Sequence, residues 1–427
     1  MWIWQAKKWP NFEFDAQALQ PTLAAARVAQ GRMLGMASQL QLVDLADLNI
    51  DGLAFEALAT AQIEGEVLHP QSVRLSAARR LGLPAPVKTT ALSTKPARKN
   101  FKVDNAAPLR EEATLDVIQA AVSQYQQPLS EARLLGWHAS LFPGRINRFA
   151  VGAYRSHDEP MQIVTPQLGK NDIVHYEAPP SKDVAAHMQQ LVAWFNNSQG
   201  QIDGIARAAV AHLWLEAIHP FEDGNGRIGR ALSDLALAQD AQSSQHLFSL
   251  SHQLMAHRSD YYGQLQAATS KGSLNVTVWV QWFVQRVQGA CEHSMQQMQG
   301  AVNKTRFWQQ VRSVHPGIST GQQKVLAKLF DAGAGFADGM STEKYVAITG
   351  LSRATAYREL TALTGLGLLL KSGQGRGTRY GIGDLEQAMR WRTLDATVQG
   401  MKRRNADQSD ADLQTVIDEA LDAARKP

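Results

Sequence analysis

Twelve consecutive residues constrain this chain more than any other stretch: His219-Pro220-Phe221-Glu222-Asp223-Gly224-Asn225-Gly226-Arg227-Ile228-Gly229-Arg230. Apolar residues recur at helical spacing before it, over 206–218 (Ala209, Leu213, Ile218), and after it, over 227–239 (Leu232, Leu235, Leu237). The chain must therefore fold as helix, tight loop, helix, with a base, a carboxylate, an amide and two glycines in the loop. A loop that opens onto a helix N-terminus is a ready anion site. Free N–H groups and the helix dipole both point at whatever sits there.

Each residue type has a chemical use. Gly224 and Gly226 let the backbone turn sharply and approach phosphate oxygens. Asp223 offers a hard oxygen ligand, and one carboxylate plus substrate phosphates is the usual way of holding Mg²⁺. Arg227 and Arg230 occupy neighbouring helical positions, and their planar forks suit a di- or triphosphate. His219 carries the side chain suited to taking a proton from a hydroxyl. Phe221 has no polar chemistry and anchors the loop. Singly, a His before Pro or a Gly-Asn-Gly is an ordinary helix end or turn. Jointly they are complementary parts of one phosphate-handling site.

Residues 219–230 match the Fic-domain signature HxFx(D/E)GNGRxxR at every specified position, and the chain resembles Fic proteins on that ground. The resemblance implies transfer of AMP from ATP to a Tyr, Thr or Ser hydroxyl of a target protein. It makes His219 the base and Asp223 the Mg²⁺ ligand. Gly224, Asn225 and Gly226 would line the anion hole, and Arg227 and Arg230 would bind the outer phosphates. The fold it implies is mostly α, a helical core with a β-hairpin flap.

The likeness continues on both sides. Thr60-Ala61-Gln62-Ile63-Glu64-Gly65 matches the (S/T)xxxE(G/N) motif of relatives that carry their own inhibitory helix. There the glutamate, Glu64 here, pairs with the second signature arginine, Arg230, and ATP binds unproductively. Gly152-Ala153-Tyr154-Arg155 resembles the family's G-x-Y-R stretch. The β-like runs Met161-Gln162-Ile163-Val164-Thr165 and Ile173-Val174-His175-Tyr176 surround Gly169-Lys170-Asn171-Asp172. In the family such a hairpin covers the nucleotide site, which brings in Gln162, Ile163 and Val164, and it captures an extended target segment by β-augmentation. Arg258-Ser259-Asp260-Tyr261-Tyr262 resembles the R-x-x-Y-Y stretch whose tyrosines lie near the nucleoside. Where some relatives have a nucleotide-contacting asparagine, this chain has Thr269.

In order, the chain reads as an N-terminal helical domain (1–83), a Pro- and Lys/Arg-rich linker (84–110), the Fic core (111–300), a linker (301–315), a second unit (316–383) and a helical tail (384–427). Trp2, Trp4, Trp9 and Phe12 pin the N-terminal arm to the domain surface. Helical patterns follow over 16–42 and 53–68, and a closing helix covers 276–298. Residues 316–383 have a winged helix-turn-helix pattern: helices over 320–330, 341–349 and 352–363 with Ser352 as N-cap, then two strands around Gly373-Gln374-Gly375-Arg376-Gly377. Arg353, Thr355, Tyr357 and Arg358 would face DNA, and Lys371, Arg376 and Arg379 would meet phosphates from the wing. Such units also serve as protein-docking or dimerisation modules, so DNA and a second copy are both expected partners.

Composition bounds the rest. One cysteine, Cys291, leaves no intramolecular disulfide and fits a reducing cytoplasm. No run of about 18 apolar residues suggests a membrane span, and the N-terminus lacks a signal-peptide core. A net charge of +4 permits nucleic-acid contact without demanding it. Two function classes follow: an autoinhibited protein adenylyltransferase, or a DNA-binding regulator that uses the same fold to sense a nucleotide. AMP removal and transfer of phosphocholine or phosphate stay open as related chemistries.

Overall fold

The computed structural model describes residues 1–40, 42–83, 107–143, 149–165, 173–315, 317–332 and 339–383. They fall into two compact units divided between Ala301 and Val302. Of the linker expected at 84–110, residues 84–106 lie outside the described residues and 107–110 are already helical; the hairpin tip 166–172 and the expected tail 384–427 also lie outside them. The described residues are mostly α, with two short hairpins.

The first unit begins with an arm and three helices, α1 (Ala16–Ala37), α2 (Leu42–Ile63) and α3 (Pro70–Arg80). Asp15 caps α1 by accepting from the N–H groups of Gln17 and Ala18. The arm is pinned as its aromatic residues suggest. Trp9 packs edge-on to Phe12 and Trp214, and the Trp4 indole donates to the Glu177 carbonyl at 2.7 Å. The expected 16–42 and 53–68 helices are redivided. α1 stops at Ala37, and α2 starts eleven residues early because Leu48 is buried in the main core and Ile50 is buried with Leu53 and Ala57. Nor do residues 1–83 form a body of their own. Leu19, Ala26 and Met33 join the main core, while Leu53, Ala57 and Val73 share a second cluster with Leu115 and Ile118. With no private core, the N-terminal helices are part of the unit that spans 1–301.

Helices α4 (Ala107–Ser123), α5 (Glu131–Leu141) and α6 (Ser181–Asn197) surround a central pair, α7 (Gly204–Ile218) and α8 (Asn225–Ala241). α6 buries Val184, Met188, Leu191 and Phe195, one stripe at helical spacing. α7 goes further than the stripe expected of it. Nearly every residue is buried, including Arg207, whose guanidinium donates to the Phe195 carbonyl and Gln239. An all-round buried helix is the centre of a domain, and its C-terminal end is held from every side. Strands β1 (Gln162–Thr165) and β2 (Ile173–Glu177) pair antiparallel, with a bulge between Ile163 and Val164. Helices α9 (Leu250–Ala256), α10 (Arg258–Thr269) and α11 (Thr277–Val314) complete the unit.

The second unit has α12 (Thr320–Ala332), α13 (Thr342–Thr349), α14 (Arg353–Gly365) and an antiparallel hairpin of β3 (Leu369–Ser372) and β4 (Arg379–Ile382). Ser341 and Ser352 cap α13 and α14 through the N–H groups of Lys344 and Thr355. Val325, Leu326, Tyr345, Leu360 and Leu363 form its core. The linker expected at 301–315 is helical instead. α11 continues through it, because the stretch has neither Gly nor Pro, and Phe307 and Val311, one turn apart, are buried in this second core.

Candidate active site

The site is built where α7 ends. His219 is the C-cap residue and takes a left-handed conformation (φ 51°), uncommon for a residue with a side chain. Strain of this kind persists only where the surroundings over-determine it. Here the Arg155 guanidinium does so. Its Nε donates to the His219 carbonyl at 2.8 Å, and its other nitrogens reach the carbonyls of Ile218 and Pro179 and the Ser181 hydroxyl. The Arg155 N–H also donates to the Pro220 carbonyl, and the Tyr176 hydroxyl donates to the Ala217 carbonyl at 2.6 Å. The orphan carbonyls at the end of α7 are thus satisfied by side chains from the G-x-Y-R stretch and the flap.

The loop is closed by its own amide. Asn225 Oδ1 accepts from the Phe221 N–H at 2.9 Å, and its Nδ2 donates to the Phe221 carbonyl at 2.7 Å. Phe221 is fully buried and stacks on the His138 ring at 4.1 Å between centroids. His138 Nδ1 accepts from the Gly152 N–H, so its Nε2 is the protonated nitrogen and donates to the Asp223 carbonyl at 3.1 Å. Burial pushes the His138 pKa down and keeps that neutral form. No sequence pattern singled out His138. It lies 85 positions from Asp223, and only packing brings the two together.

Gly224 then takes φ +85° as the N-cap of α8, a conformation that a side chain would strain. Asp223 Oδ1 accepts from the Gly224 N–H at 2.6 Å and from Arg227 at 3.2 Å. Its side chain is about half exposed at 53%.

His219 itself is largely enclosed. Its Nδ1 is buried, finds no hydrogen-bond partner among the described residues, and lies 3.9 Å from Glu216 Oε2. Burial and the Arg155 cation push its pKa down to about 4, against the pull of Glu64 and Asp223. At neutral pH the ring is uncharged and able to accept a proton. Burial pushes the Glu216 carboxyl up to about 7; nearby Arg230 opposes this and Glu64 adds to it.

Both signature arginines are engaged by the segment that ends α2. Arg230 is 2% exposed; it donates to Glu64 Oε1 at 2.6 Å and, through Nε, to Thr60 Oγ1 at 2.6 Å. Burial works to raise the Glu64 pKa, but Arg230 and then Arg227 hold it below the ordinary value, so Glu64 is ionised. Glu64 Oε1 also lies against Gly226, where an added Cβ would stand 2.4 Å from it. Arg227 faces a second acid from the same turn, Glu66, at 3.4 Å. Glu66 lies one position beyond the recognised motif and carried no signal of its own.

The remaining expected residues are placed as follows. Gln162, Ile163 and Val164 lie on β1, which is exposed along its whole length. Tyr261 is buried under the site with its hydroxyl 2.7 Å from His212 Nε2. Tyr262 is 44% exposed beside the Arg258 guanidinium. Thr269 is buried, bonding back to the Leu265 carbonyl. In the second unit, Arg353, Tyr357 and Arg358 are exposed on α14, and Arg353 pairs with Glu343 at 3.0 Å. Lys371 is exposed on β3, while the side chain of Arg376 lies outside the described residues.

Residues 128–237 match the Fic/DOC family, residues 2–83 a domain of unknown function (DUF4172), and residues 383–426 a ribbon-helix-helix domain. The chain is 31% identical over 147 residues to protein adenylyltransferase fic-1 of Caenorhabditis briggsae, covering 34% of this chain and 26% of that protein. It is 36% identical over 75 residues to a probable protein adenylyltransferase of Aquifex aeolicus, covering 17% and 23%. The matches thus span about a quarter of those curated relatives. A solved Fic family protein of Desulfovibrio desulfuricans G20 aligns with a TM-score of 0.49 at 19% identity, over 87% of this chain and 97% of that one. No helix among the described residues is long and apolar enough to cross a membrane. With the signature complete, its loop closed by Asn225 and His138, and the family match spanning it, the chain carries a Fic domain over residues 128–237.

Proposed function

We propose that this protein is an autoinhibited adenylyltransferase that moves AMP from ATP onto a hydroxyl of a protein. The carrying observation is the pairing of an uncharged, enclosed His219 with a helix N-terminus whose two arginines are both held by acids from one turn, Glu64 and Glu66. The curated relatives named above as protein adenylyltransferases support the same reading.

In this mechanism the target hydroxyl oxygen attacks the α-phosphorus of ATP, the bond to the bridging oxygen of pyrophosphate breaks, and the proton passes to His219. Nδ1 is sealed beside Glu216, which leaves Nε2 as the nitrogen that meets the substrate. A positioned base of this kind is worth about 10²–10⁴-fold. The N-terminus of α8 supplies N–H donors and a positive dipole end for the charge on the phosphates. Arg227 and Arg230 would hold the outer phosphates once released from Glu66 and Glu64. Asp223 fits a magnesium ligand. It is half exposed, and only Oδ1 is engaged by hydrogen bonds among the described residues. Mg²⁺ held there with the substrate phosphates would supply charge neutralisation.

Inhibition follows from competition for donors. While Arg230 donates to Glu64 and Thr60, its Nε and Nη2 are occupied and cannot serve a γ-phosphate. Target docking on the flap is part of the same proposal. Ile163 and Val164 are exposed on β1, where an extended segment could add a strand. The cytoplasmic location expected from the single cysteine belongs here too. The test is transfer from ATP labelled on the α- or the γ-phosphate, with wild type, Glu64→Gly and Glu64→Gly/His219→Ala. Label from the α-phosphate, strong only in Glu64→Gly, is the expected result. Label from the γ-phosphate would replace AMP transfer by phosphorylation.

One observation favours a second reading, DNA binding with nucleotide sensing. The ribbon-helix-helix match at 383–426 adjoins a unit that exposes Arg353, Tyr357 and Arg358 on one helix. A salt-sensitive gel shift with the DNA upstream of its own gene, altered by ATP, would support it. No shift at low salt would remove it.

A further inference from the structure

Away from the nucleotide site, the seam between α2 and α8 holds three metal-ligating side chains with no assigned role. Glu56 of α2, Asp234 of α8 and His246 of the loop after α8 each present a ligand atom, and these atoms lie within 4.8 Å of one another. All three are buried, Glu56 at 1%, Asp234 at 6% and His246 at 7% exposure. Two of the facing atoms are unsatisfied: neither Asp234 Oδ2 nor His246 Nε2 finds a hydrogen-bond partner among the described residues. His246 Nε2 nevertheless points into the cluster, 4.0 Å from Glu56 Oε2. Orphaned polar atoms at this depth call for an explanation. Two adjacent buried carboxylates are also unfavourable as a pair.

We propose that Glu56, Asp234 and His246 form a binding site for a divalent transition metal ion that braces α2 against α8. One imidazole and two carboxylates suit zinc and its neighbours rather than Ca²⁺ or Mg²⁺, which favour all-oxygen shells. A dication neutralises both carboxylates and gives a partner to both orphaned atoms. An ion about 2 Å from each would draw the ligand atoms, now within 4.8 Å of one another, to roughly 3.3 Å apart. The supports that orient ligands are also present. Glu56 Oε2 accepts from the Ser249 hydroxyl at 2.7 Å and the Ser251 backbone N–H at 3.0 Å, and the loop is held at His246 by its backbone N–H, which donates to Asn49 Oδ1 at 2.7 Å. Gly52 lets α2 lie directly on the His246 carbonyl, where a Cβ would stand 1.8 Å from the oxygen.

Gly52, Glu56, Thr60 and Glu64 succeed one another every four residues along α2 and the turn after it. On α8, Asp234 lies one turn beyond Arg230. The ion would therefore sit one turn from Thr60 and two from Glu64, on the face that presents Glu64 to Arg230. The site is independent of the AMP-transfer reading, and its test is run without ATP.

The full chain, stripped with chelator, is titrated with Zn²⁺ and separately with Co²⁺, following bound metal, melting temperature and the Co²⁺ visible spectrum. The expected result is one tightly bound equivalent, a melting temperature raised by several degrees, and a Co²⁺ spectrum of low coordination number. His246→Gln and Asp234→Asn each weaken binding at least a hundredfold. Should either seam variant fail to fold, X-ray absorption on zinc-loaded wild type decides: one imidazole with oxygen ligands supports the site. Sulfur ligands, several imidazoles, no saturable equivalent, or unchanged affinity in both seam variants would overturn it.

Discussion

Replacing Glu64 by glycine separates two consequences of one contact. Glu64 follows the last residue of α2 and precedes Gly65, itself at φ +79°, so glycine here breaks no regular helix. What is lost is a charge-assisted hydrogen bond of 2.6 Å to an arginine that is 2% exposed. Hydrogen bonds to charged groups contribute about 1.5–3 kcal/mol. Breaking a buried ion pair is worse still, about 3–5 kcal/mol, because the remaining charge is uncompensated. Arg230 keeps Thr60 as a partner, and the Glu64 side chain is 31% exposed, so the lower figure, about 2 kcal/mol, is appropriate. The ATP-free variant should melt a few degrees below wild type. The same loss becomes a gain for the nucleotide. If a γ-phosphate takes over the freed donors, about 2 kcal/mol corresponds to roughly 30-fold tighter productive ATP binding. Calorimetric titration with Mg-ATP, thermal melts with and without it, and transfer of α-phosphate label to protein measure the three effects on one preparation. Glu64→Gln, which keeps the shape and loses the charge, should fall between. A Glu64→Gly variant with unchanged melting temperature and unchanged ATP affinity would refute the competition argument.

Further expectations rest on single contacts. His219→Ala in the Glu64→Gly background should reduce label transfer by at least about 10²-fold, while Mg-ATP affinity, read by calorimetry, stays within a few-fold. His138→Ala removes the stack on Phe221 and the bond to the Asp223 carbonyl. A loss of about 3 kcal/mol in denaturant unfolding should accompany impaired transfer, and His138→Asn should restore little because it cannot stack. Acidification should lower the melting temperature between pH 6.5 and pH 4. His212 and His219 are both held at about 4, below their unfolded value, so the unfolded chain binds more protons throughout that window. Glu216, raised to about 7, works in the opposite sense between pH 4.5 and 7, so Glu216→Gln should steepen the acid loss. Asp223→Ala should abolish the magnesium dependence of transfer without lowering the melting temperature, since its side chain is half exposed.

Much of the site is legible along the chain because it is local. His219 through Arg230 is one loop and one helical turn, so complementary chemistry falls within twelve positions. The capping serine of α14 and the pinning role of Trp9 are legible for the same reason: each acts within a few residues or through an unmistakable apolar excess. Boundaries were less so. A helix runs through 301–315 because Phe307 and Val311 find a core to enter, which propensity alone does not reveal. The N-terminal helices have no separate core because Leu19 and Met33 are buried in the main one.

Sequence by itself determined the kind of chemistry: a base, a carboxylate, two arginines and a helix N-terminus in fixed order, with an acid-bearing motif more than 150 positions upstream. Tertiary structure alone decided what each group experiences. It sealed Nδ1 of His219 and left the ring uncharged, set Arg155 under the strained carbonyl, stacked His138 on the loop, and brought Glu66 as well as Glu64 to the arginines. It also gathered Glu56, Asp234 and His246, from two helices and a loop, into one buried cluster. The physical reason is common to all of these. Desolvation and Coulomb interactions depend on distance and depth, which follow from how helices pack and not from spacing along the chain.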